Sequence, residues 1–227
     1  MTFGLAAFEF YNALECPVNL PLDVVPLNCY ESDDVMGYVR AFLSKYFDDC
    51  RERILVFGIN PGRFGGAVTG ISFTDPVALE RYCGIPNDLV KRRELSSDFV
   101  YRFIDAWGGV GDFYSHFFLT GVCPIGFTRH GKNFNFYENA AFYSIVEPYV
   151  LECVHSQLSF GARRDVAIVI GSGSNRKIFE KINSEYKFFD TTCYLPHPRF
   201  IMQYHRKELD RYLKEYCQMF SAALSTA

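Results

Sequence analysis

The chain has 227 residues, of which 49% are hydrophobic, 22% charged and 17% aromatic, and its formal net charge is −3. This composition excludes a disordered chain, a collagen-like repeat and a small disulfide scaffold, and no apolar run reaches the roughly 18 residues of a membrane-spanning helix. The negative charge argues at first sight against a nucleic-acid partner. The N-terminus shows neither the basic region nor the cleavage site of a secretory signal, so we expect a cytoplasmic protein, nucleoid-associated if it is bacterial.

Eight cysteines are spread along the chain, at positions 16, 29, 50, 83, 123, 153, 193 and 217. No two of them lie two to four residues apart, which is the spacing of zinc and iron–sulfur sites. This argues against a zinc or iron–sulfur site, and because no export signal is apparent we expect reduced thiols.

Four short apolar runs have the length and the β-branched or aromatic content of strands that are buried on both faces. They are residues 54–57, 117–120, 166–170 and 189–195. Helical patterns alternate with them, which predicts an α/β fold, a three-layer α/β/α sandwich around a four-stranded parallel sheet. We expect a single domain over residues 1–227, with residues 1–50 as a helical, acidic extension packed on it.

Helical periodicity and capping signals predict six helices. Asp75 as the N-cap and Pro76 at the first helical position begin a short one. The others contain Val39, Phe42, Leu43 and Phe47; Ser96 to Gly108; Tyr143 to Phe160; Ile178 and Ile182 after a cap at Ser174; and Leu209, Tyr212, Leu213, Tyr216 and Phe220.

A glycine-rich segment, Gly58 to Gly70, follows the first strand directly. Its five glycines and one proline are incompatible with a regular helix or strand and let the backbone approach a ligand closely. The segment fits neither of the standard nucleotide-binding patterns, GxxxxGK[ST] and GxGxxG. Ligands of open α/β sheets bind beyond the carboxyl ends of the strands, which is where Asn60, braced by Pro61, is expected. An amide at this point orients a water molecule and polarises it while remaining uncharged.

A second segment follows the fourth strand, where Pro196 and Pro198 flank His197. The two prolines stiffen the loop and hold one imidazole at the carboxyl end of a strand. In a parallel sheet this end lies on the same edge as Asn60, so we expect the two side chains to share one site.

These segments resemble the motifs of the uracil-DNA glycosylase superfamily, in particular those of the single-strand-selective monofunctional uracil-DNA glycosylase (SMUG-type) family. The family pattern G-x-N-P-G-x-F-G-x-x-x-T-G-x-x-F is met at every fixed position from Gly58 to Phe73. The His197 loop is similar to the second motif, usually H-P-S-P-R, although here it is the shorter His-Pro-Arg-Phe. The resemblance covers roughly residues 54 to 210 and implies the uracil-DNA glycosylase-like fold.

The resemblance also implies roles for individual residues. Asn60 would position a water against the anomeric carbon, and His197 would donate a hydrogen bond to the base carbonyl on which negative charge develops. The implied base pocket consists of Ile59, Gly62, Phe64, Phe73 and Gly121, with the Phe73 ring stacked on the flipped base. DNA contacts are implied for Pro61, Arg63, Lys132, Pro198, Arg199 and Phe200, and the residue that fills the gap in the DNA would be one of Arg199, Phe200, Ile201 and Met202. Neither motif contains a lysine, so we expect a monofunctional enzyme without a lyase step. The resemblance also implies that the enzyme uses no metal and no cofactor.

The strand that ends at Gly121 departs from the family pattern. Gly121-Val122-Cys123-Pro124 stands where the family has N-x-C-P, and in the family that Asn reads the edge of uracil. Because Gly121 has no side chain, backbone groups, a water, Thr120 or Asn133 would have to substitute. A pocket that accepts a broader set of deaminated bases is the other possibility.

The resemblance thus implies a monofunctional DNA glycosylase that hydrolyses the N-glycosidic bond of uracil or a related deaminated base in single- or double-stranded DNA. We expect it to act as a monomer and to initiate base excision repair. Two alternatives stay open, a catalytically weak nucleic-acid-binding module of the same fold and an enzyme that processes nucleosides or nucleotides.

The distribution of charge agrees with a DNA partner better than its total does. Residues 1–50 carry eight acidic and two basic side chains, a net charge of −6, which leaves +3 on the other 177 residues. A mildly basic surface gives a modest, salt-sensitive affinity for DNA.

Overall fold

The strands of the computed structural model, which describes residues 1–226, form two sheets. In chain order they are β1 (Val24–Leu27), β2 (Ile54–Gly58), β3 (Phe117–Gly121), β4 (Gly126–Arg129), β5 (Lys132–Asn133), β6 (Val166–Ile170) and β7 (Thr191–Leu195). The larger sheet has the order β3-β2-β6-β7 with every pair parallel. The predicted four-stranded parallel sheet is therefore confirmed.

Helices cover both faces of this sheet. In the described residues they are α1 (Phe3–Asn12), α2 (Asp33–Tyr46), α3 (Gly66–Thr69), α4 (Pro76–Arg81), α5 (Leu95–Trp107), α6 (Val110–His116), α7 (Ala140–Leu158), α8 (Ser174–Tyr186), α9 (Pro198–Tyr204) and α10 (Leu209–Leu224), with 3₁₀ turns at Cys29–Glu31 and Arg206–Glu208. Within residues 1–226, no helix combines the length with the apolar character that crossing a bilayer requires.

Two neighbouring residues of β3 show how the layers form, because successive side chains of a strand point to opposite faces. The Phe118 ring lies 5.0 Å from that of Phe3 in α1. The Phe117 ring lies 4.8 Å from that of Phe220 in α10 and 5.4 Å from that of Trp107 in α5. The sheet is thus buried between α1 on one face and α5 and α10 on the other, which confirms the three-layer sandwich.

The register of the sheet places all four carboxyl ends on one edge. Gly58 pairs with Gly121, and Ile170 pairs with Leu195. The chain proceeds from β2 to one side, to β3, and later returns to the other side for β6 and β7. A crevice opens where the strand order reverses in this way, and it is the usual ligand site of such sheets. Here it lies at the end of β2.

Several predicted boundaries shift by a few residues. Strand β7 begins at Thr191 rather than Phe189, because the Asn183 side chain binds both the amide and the carbonyl of Phe189. The predicted cap at Ser174 is wrong, since Gly173 is the N-cap and Ser174 is already helical. Helix α7 starts at Ala140, where Asn139 accepts a hydrogen bond from the Phe142 amide. Asp75 caps α4 through the Ala78 amide, as predicted.

A small antiparallel sheet, β1-β4-β5, was not predicted from the sequence. Its β4–β5 hairpin turns through His130 and Gly131, whose φ values of 50° and 69° fit a type I′ turn. Strand β1 contains Pro26 and lies at the edge, where a missing amide is tolerated. An ion pair of 2.5 Å between Arg129 and Asp23 fixes β4 to the segment before β1.

The N-terminal segment contributes to the main core. Phe3, Ala7 and Tyr11 of α1 are buried against the large sheet. The Tyr11 hydroxyl lies 3.4 Å from the Thr120 hydroxyl in β3. Residues 1–50 also supply β1, so this segment is not entirely helical.

Candidate active site

Asn60 is held by backbone hydrogen bonds that continue the β2–β3 pairing beyond the strands. The Gly58 carbonyl accepts from the Val122 amide at 3.0 Å, and the Ile59 carbonyl accepts from the Cys123 amide at 2.9 Å. Pro61 then fixes the exit direction of the chain. The Oδ1 atom of Asn60 is buried, and no donor of residues 1–226 reaches it. It is therefore an acceptor that the fold leaves free.

His197 is the N-cap of α9, and this determines which of its nitrogens carries the proton. Its Nδ1 accepts a hydrogen bond of 3.1 Å from the Arg199 amide. Burial of the ring, together with the positive charge of Arg199, lowers the pKa of His197 to about 4. The imidazole is then neutral at pH 7, and because Nδ1 is an acceptor, the proton lies on Nε2. His197 thus presents one uncharged donor.

Phe73 closes one side of the site. Its backbone is left-handed, with φ of 56°, a conformation that bulky residues rarely adopt. The ring lies over Gly58, where a Cβ atom would come within 2.8 Å of Cζ, and its centroid is 6.2 Å from that of the His197 ring. The absence of a side chain at Gly58 is what lets the ring reach this place.

These groups surround one pocket of about 320 Å³ at the carboxyl edge of the sheet. Its walls contain eight of the residues that the sequence assigns to the site: Ile59, Asn60, Pro61, Gly62, Phe73, Gly121, His197 and Arg199. The others, Arg63, Phe64, Lys132, Pro198 and Phe200, lie outside these walls. The structure therefore brings the expected catalytic pair and the expected stacking ring into one cavity.

Phe64 is placed differently from the expectation that it binds the base. Its ring packs under the guanidinium of Arg92, which is 3.6 Å from the ring centroid, and that of Arg63 at 4.4 Å. These cation–π contacts hold the outer part of the glycine-rich loop. The ring supports the loop instead of lining the pocket.

Gly121 cannot carry the side chain that the family has there. A Cβ atom at this position would lie 2.7 Å from the Cys123 carbonyl oxygen. The Gly121 carbonyl accepts a hydrogen bond of 3.1 Å from the Gln157 side chain. Thr120, one suggested substitute, donates its hydroxyl hydrogen to Gln157 and is buried. Neither residue offers the pocket a free side-chain group.

Arg199 is engaged within the protein. Its Nη2 lies 2.5 Å from Oε1 of Glu94, and the same oxygen accepts from the Ser96 hydroxyl at 3.1 Å. The sequence suggested Arg199 as a DNA contact but gave no sign of Glu94. The two residues are 105 positions apart, and only the packing of α5 against α9 brings them together.

The next residues of α9 differ in exposure. Phe200 is 46% exposed, whereas Ile201 and Met202 are 0% and 3% exposed. Of the four candidates for the residue that fills the gap in DNA, Ile201 and Met202 are therefore packed inside the protein. Arg199 and Phe200 remain at the surface.

Sequence reasoning missed several polar residues of the pocket walls, namely Ser72, Glu94, Ser96, Asn135 and Tyr137. Asn135 and Tyr137 follow the unpredicted small sheet, and no motif marks them.

Residues 1–226 hold no group of three His, Cys, Asp or Glu side chains that fits a metal ion. Burial raises the pKa of the Cys29, Cys83 and Cys153 thiols to about 12, so these are poor nucleophiles at neutral pH.

Comparison with known proteins agrees with this geometry. A family model described as the uracil DNA glycosylase superfamily matches residues 44–221. Among solved structures, the crystal structure of wild-type Pedobacter heparinus SMUG2 is 38% identical, has a TM-score of 0.96, and is matched over 100% of both chains. No curated protein gives a significant sequence match. The chain therefore belongs to the uracil-DNA glycosylase superfamily and is a SMUG-type protein.

Proposed function

We propose that the chain is a monofunctional DNA glycosylase that hydrolyses the N-glycosidic bond of uracil or a related deaminated base in DNA. One observation carries the proposal: the free acceptor of Asn60 and the neutral donor of His197 share a pocket with an aromatic ring. The family and the full-length similarity to SMUG2 support it.

Binding begins with the transfer of one nucleotide out of the DNA stack, which costs a few kcal/mol and least in single-stranded DNA. Phe73 offsets part of this cost, because base–aromatic stacking is worth about 1–3 kcal/mol. The ring lines the pocket in the free protein, which supports this role.

Hydrolysis then breaks the bond between C1′ of the sugar and the base nitrogen attached to it, which is N1 in uracil and N9 in a purine. The electron pair of that bond moves onto the base, and the water oriented by Asn60 Oδ1 attacks C1′. The hydroxyl stays on the sugar as an abasic site, and the water's second proton leaves to the solvent or the released base. An abasic site of this kind is the product from which base excision repair proceeds.

His197 acts on the charge that the departing base acquires. Its Nε2–H donates to the carbonyl oxygen of the base as that oxygen becomes negative. A pre-oriented donor of this type contributes about 2.7–4 kcal/mol to the transition state. Because the pKa of His197 is held near 4, the donor is neutral and does not lose its proton to the base at neutral pH.

The proposal is tested by incubating the protein with single- and double-stranded oligonucleotides that contain uracil, hypoxanthine or xanthine, and cleaving abasic sites with alkali. We expect release of at least one base, and an Asn60→Ala variant that is at least about 10-fold slower in single turnover. Asn12→Ala, at an exposed position outside the pocket, is the matched control. Absence of release from every substrate contradicts the proposal and favours a binding module of the same fold.

A further inference from the structure

Gly121 has no side chain that could form a hydrogen bond with the edge of the base, but Asn133 on the same pocket does. Asn133 ends β5 and lies on the pocket wall. Its Oδ1 accepts a hydrogen bond of 3.2 Å from the Arg63 amide. An amide hydrogen can point only at an oxygen, so this contact fixes the orientation of the Asn133 side chain. Its Nδ2 is therefore the end that remains available.

The Nδ2 atom lies beside Gly62. It would be 3.2 Å from a Cβ atom at that position, and no acceptor in residues 1–226 receives its hydrogens. Asn133 is exposed in the free protein, as a residue at the mouth of the pocket must be for a base to enter. The absence of a side chain at Gly62 leaves the amide in contact with the pocket.

Further contacts hold Asn133 in this place. The His130-Gly131 turn sets the pairing of Asn133 with Thr128. The Arg63 guanidinium donates to the Gly131 carbonyl. The hairpin and the glycine-rich loop are thus joined at two points, so the position of the amide is set before DNA binds.

We propose that Asn133 recognises the base, with Nδ2 donating to the exocyclic carbonyl that distinguishes uracil from cytosine and hypoxanthine from adenine. This inference rests on the proposed function. Uracil carries O4 where cytosine carries an amino group, and hypoxanthine carries O6 where adenine carries one. An amide with only donors available pairs with the carbonyl and faces the amino group donor to donor, which leaves both unpaired.

The sharpest test is Asn133→Asp. The aspartate retains an oxygen for the Arg63 amide, replaces the donor with an acceptor and adds one negative charge. We expect kcat/KM on a uracil oligonucleotide to fall on the order of 10-fold to 100-fold, the usual effect of an unpaired buried polar group. Asn12→Asp adds the same charge at an exposed position outside the pocket and serves as the control. Thermal melting verifies that both variants fold.

A second measurement isolates the contact with O4. Pyrimidin-2-one in the same oligonucleotide lacks that oxygen, so removal of the amide should slow its release less. We expect the ratio of rates on uracil and pyrimidin-2-one to be at least about 10-fold larger for the wild type than for Asn133→Ala. A purely structural role for Asn133 would lower both rates equally.

The outcomes separate the two proposals. An active wild type with Asn133→Asp within twofold of Asn12→Asp, or with an unchanged ratio for Asn133→Ala, overturns the reading role and leaves the glycosylase intact. A wild type that releases no base overturns both. A selective loss on uracil supports the assignment of Asn133.

Discussion

The pocket has two walls that the chain builds in different ways. The proposed catalytic wall, Asn60 and His197, follows the ends of the buried strand β2 and the partly buried edge strand β7 of the parallel sheet. The recognition wall, Gly62 and Asn133, lies where a loop meets the exposed two-residue strand β5. The first is fixed by a whole sheet and the second by a few hydrogen bonds. Under the proposed function, this difference means that the choice of base can change at the surface while the groups that break the bond stay in place.

The largest expected effect is on the catalytic wall. His197→Ala removes the donor that faces the developing charge, and we expect the single-turnover rate to fall about 10²–10³-fold. The matched control is His155→Ala, at an exposed position outside the pocket. Equal rates for the two variants on the best substrate would show that the catalytic wall does not contain His197.

The His197→Ala variant is also expected to change how the free energy of unfolding depends on pH. The pKa of His197 is about 4 in the folded protein and 6.5 as the ordinary value, so between these two values the unfolded chain binds more protons. The free energy of unfolding of the wild type therefore decreases as pH falls through this window. Urea titrations from pH 7 to pH 4 should show a smaller decrease for His197→Ala. A decrease of the same size would mean that other groups cause it.

The next prediction tests whether a side chain at position 121, at the end of β3, can contribute to recognition of the base. Gly121→Asn restores the family's residue, but its Cβ would lie 2.7 Å from the Cys123 carbonyl oxygen. We expect a loss of about 1–3 kcal/mol in the free energy of unfolding and no faster release of uracil. Gly37→Asn, where a Cβ meets no atom within 4 Å, is the control in urea titrations. A stable, more active Gly121→Asn would return base reading to β3.

The smallest expected effect concerns the ion pair between Glu94 and Arg199, which also lines the pocket. Glu94→Gln removes the partner of Arg199 and leaves its guanidinium available to a phosphate. We expect a few-fold tighter binding of DNA and a salt dependence steeper by about one phosphate contact. Glu180→Gln breaks the Arg176 ion pair on α8 with the same change of charge. Fluorescence titrations at several salt concentrations compare them, and identical slopes would exclude Arg199 as a phosphate contact.

The catalytic wall was predictable from the sequence because its signals are local. Apolar runs mark the strands, and the residues directly after them fall on one edge by the geometry of a parallel sheet. The expectation that all four are buried on both faces is wrong for β7, an edge strand in which only Leu195 is buried. Asn60 and His197 needed only these two facts to be placed together. Their chemical roles came from the resemblance to the family.

The recognition wall was not predictable in the same way. Strand β5 has two residues, and β1 contains a proline, so neither shows a strand pattern. The contact between Asn133 and Arg63 joins residues 70 positions apart, and the contact between Glu94 and Arg199 joins residues 105 apart. Such contacts depend on tertiary packing, which leaves no periodic trace in the sequence.

Gly58 and Phe73 have a consequence for how this protein can evolve. The ring occupies the space that any side chain at position 58 would need, and its left-handed backbone carries a strain of about 1–3 kcal/mol. Replacement of Phe73 removes the ring from the pocket, and a side chain at position 58 forces the ring to move. We therefore expect Gly58 and Phe73 to vary less among related sequences than the hairpin that contains Asn133.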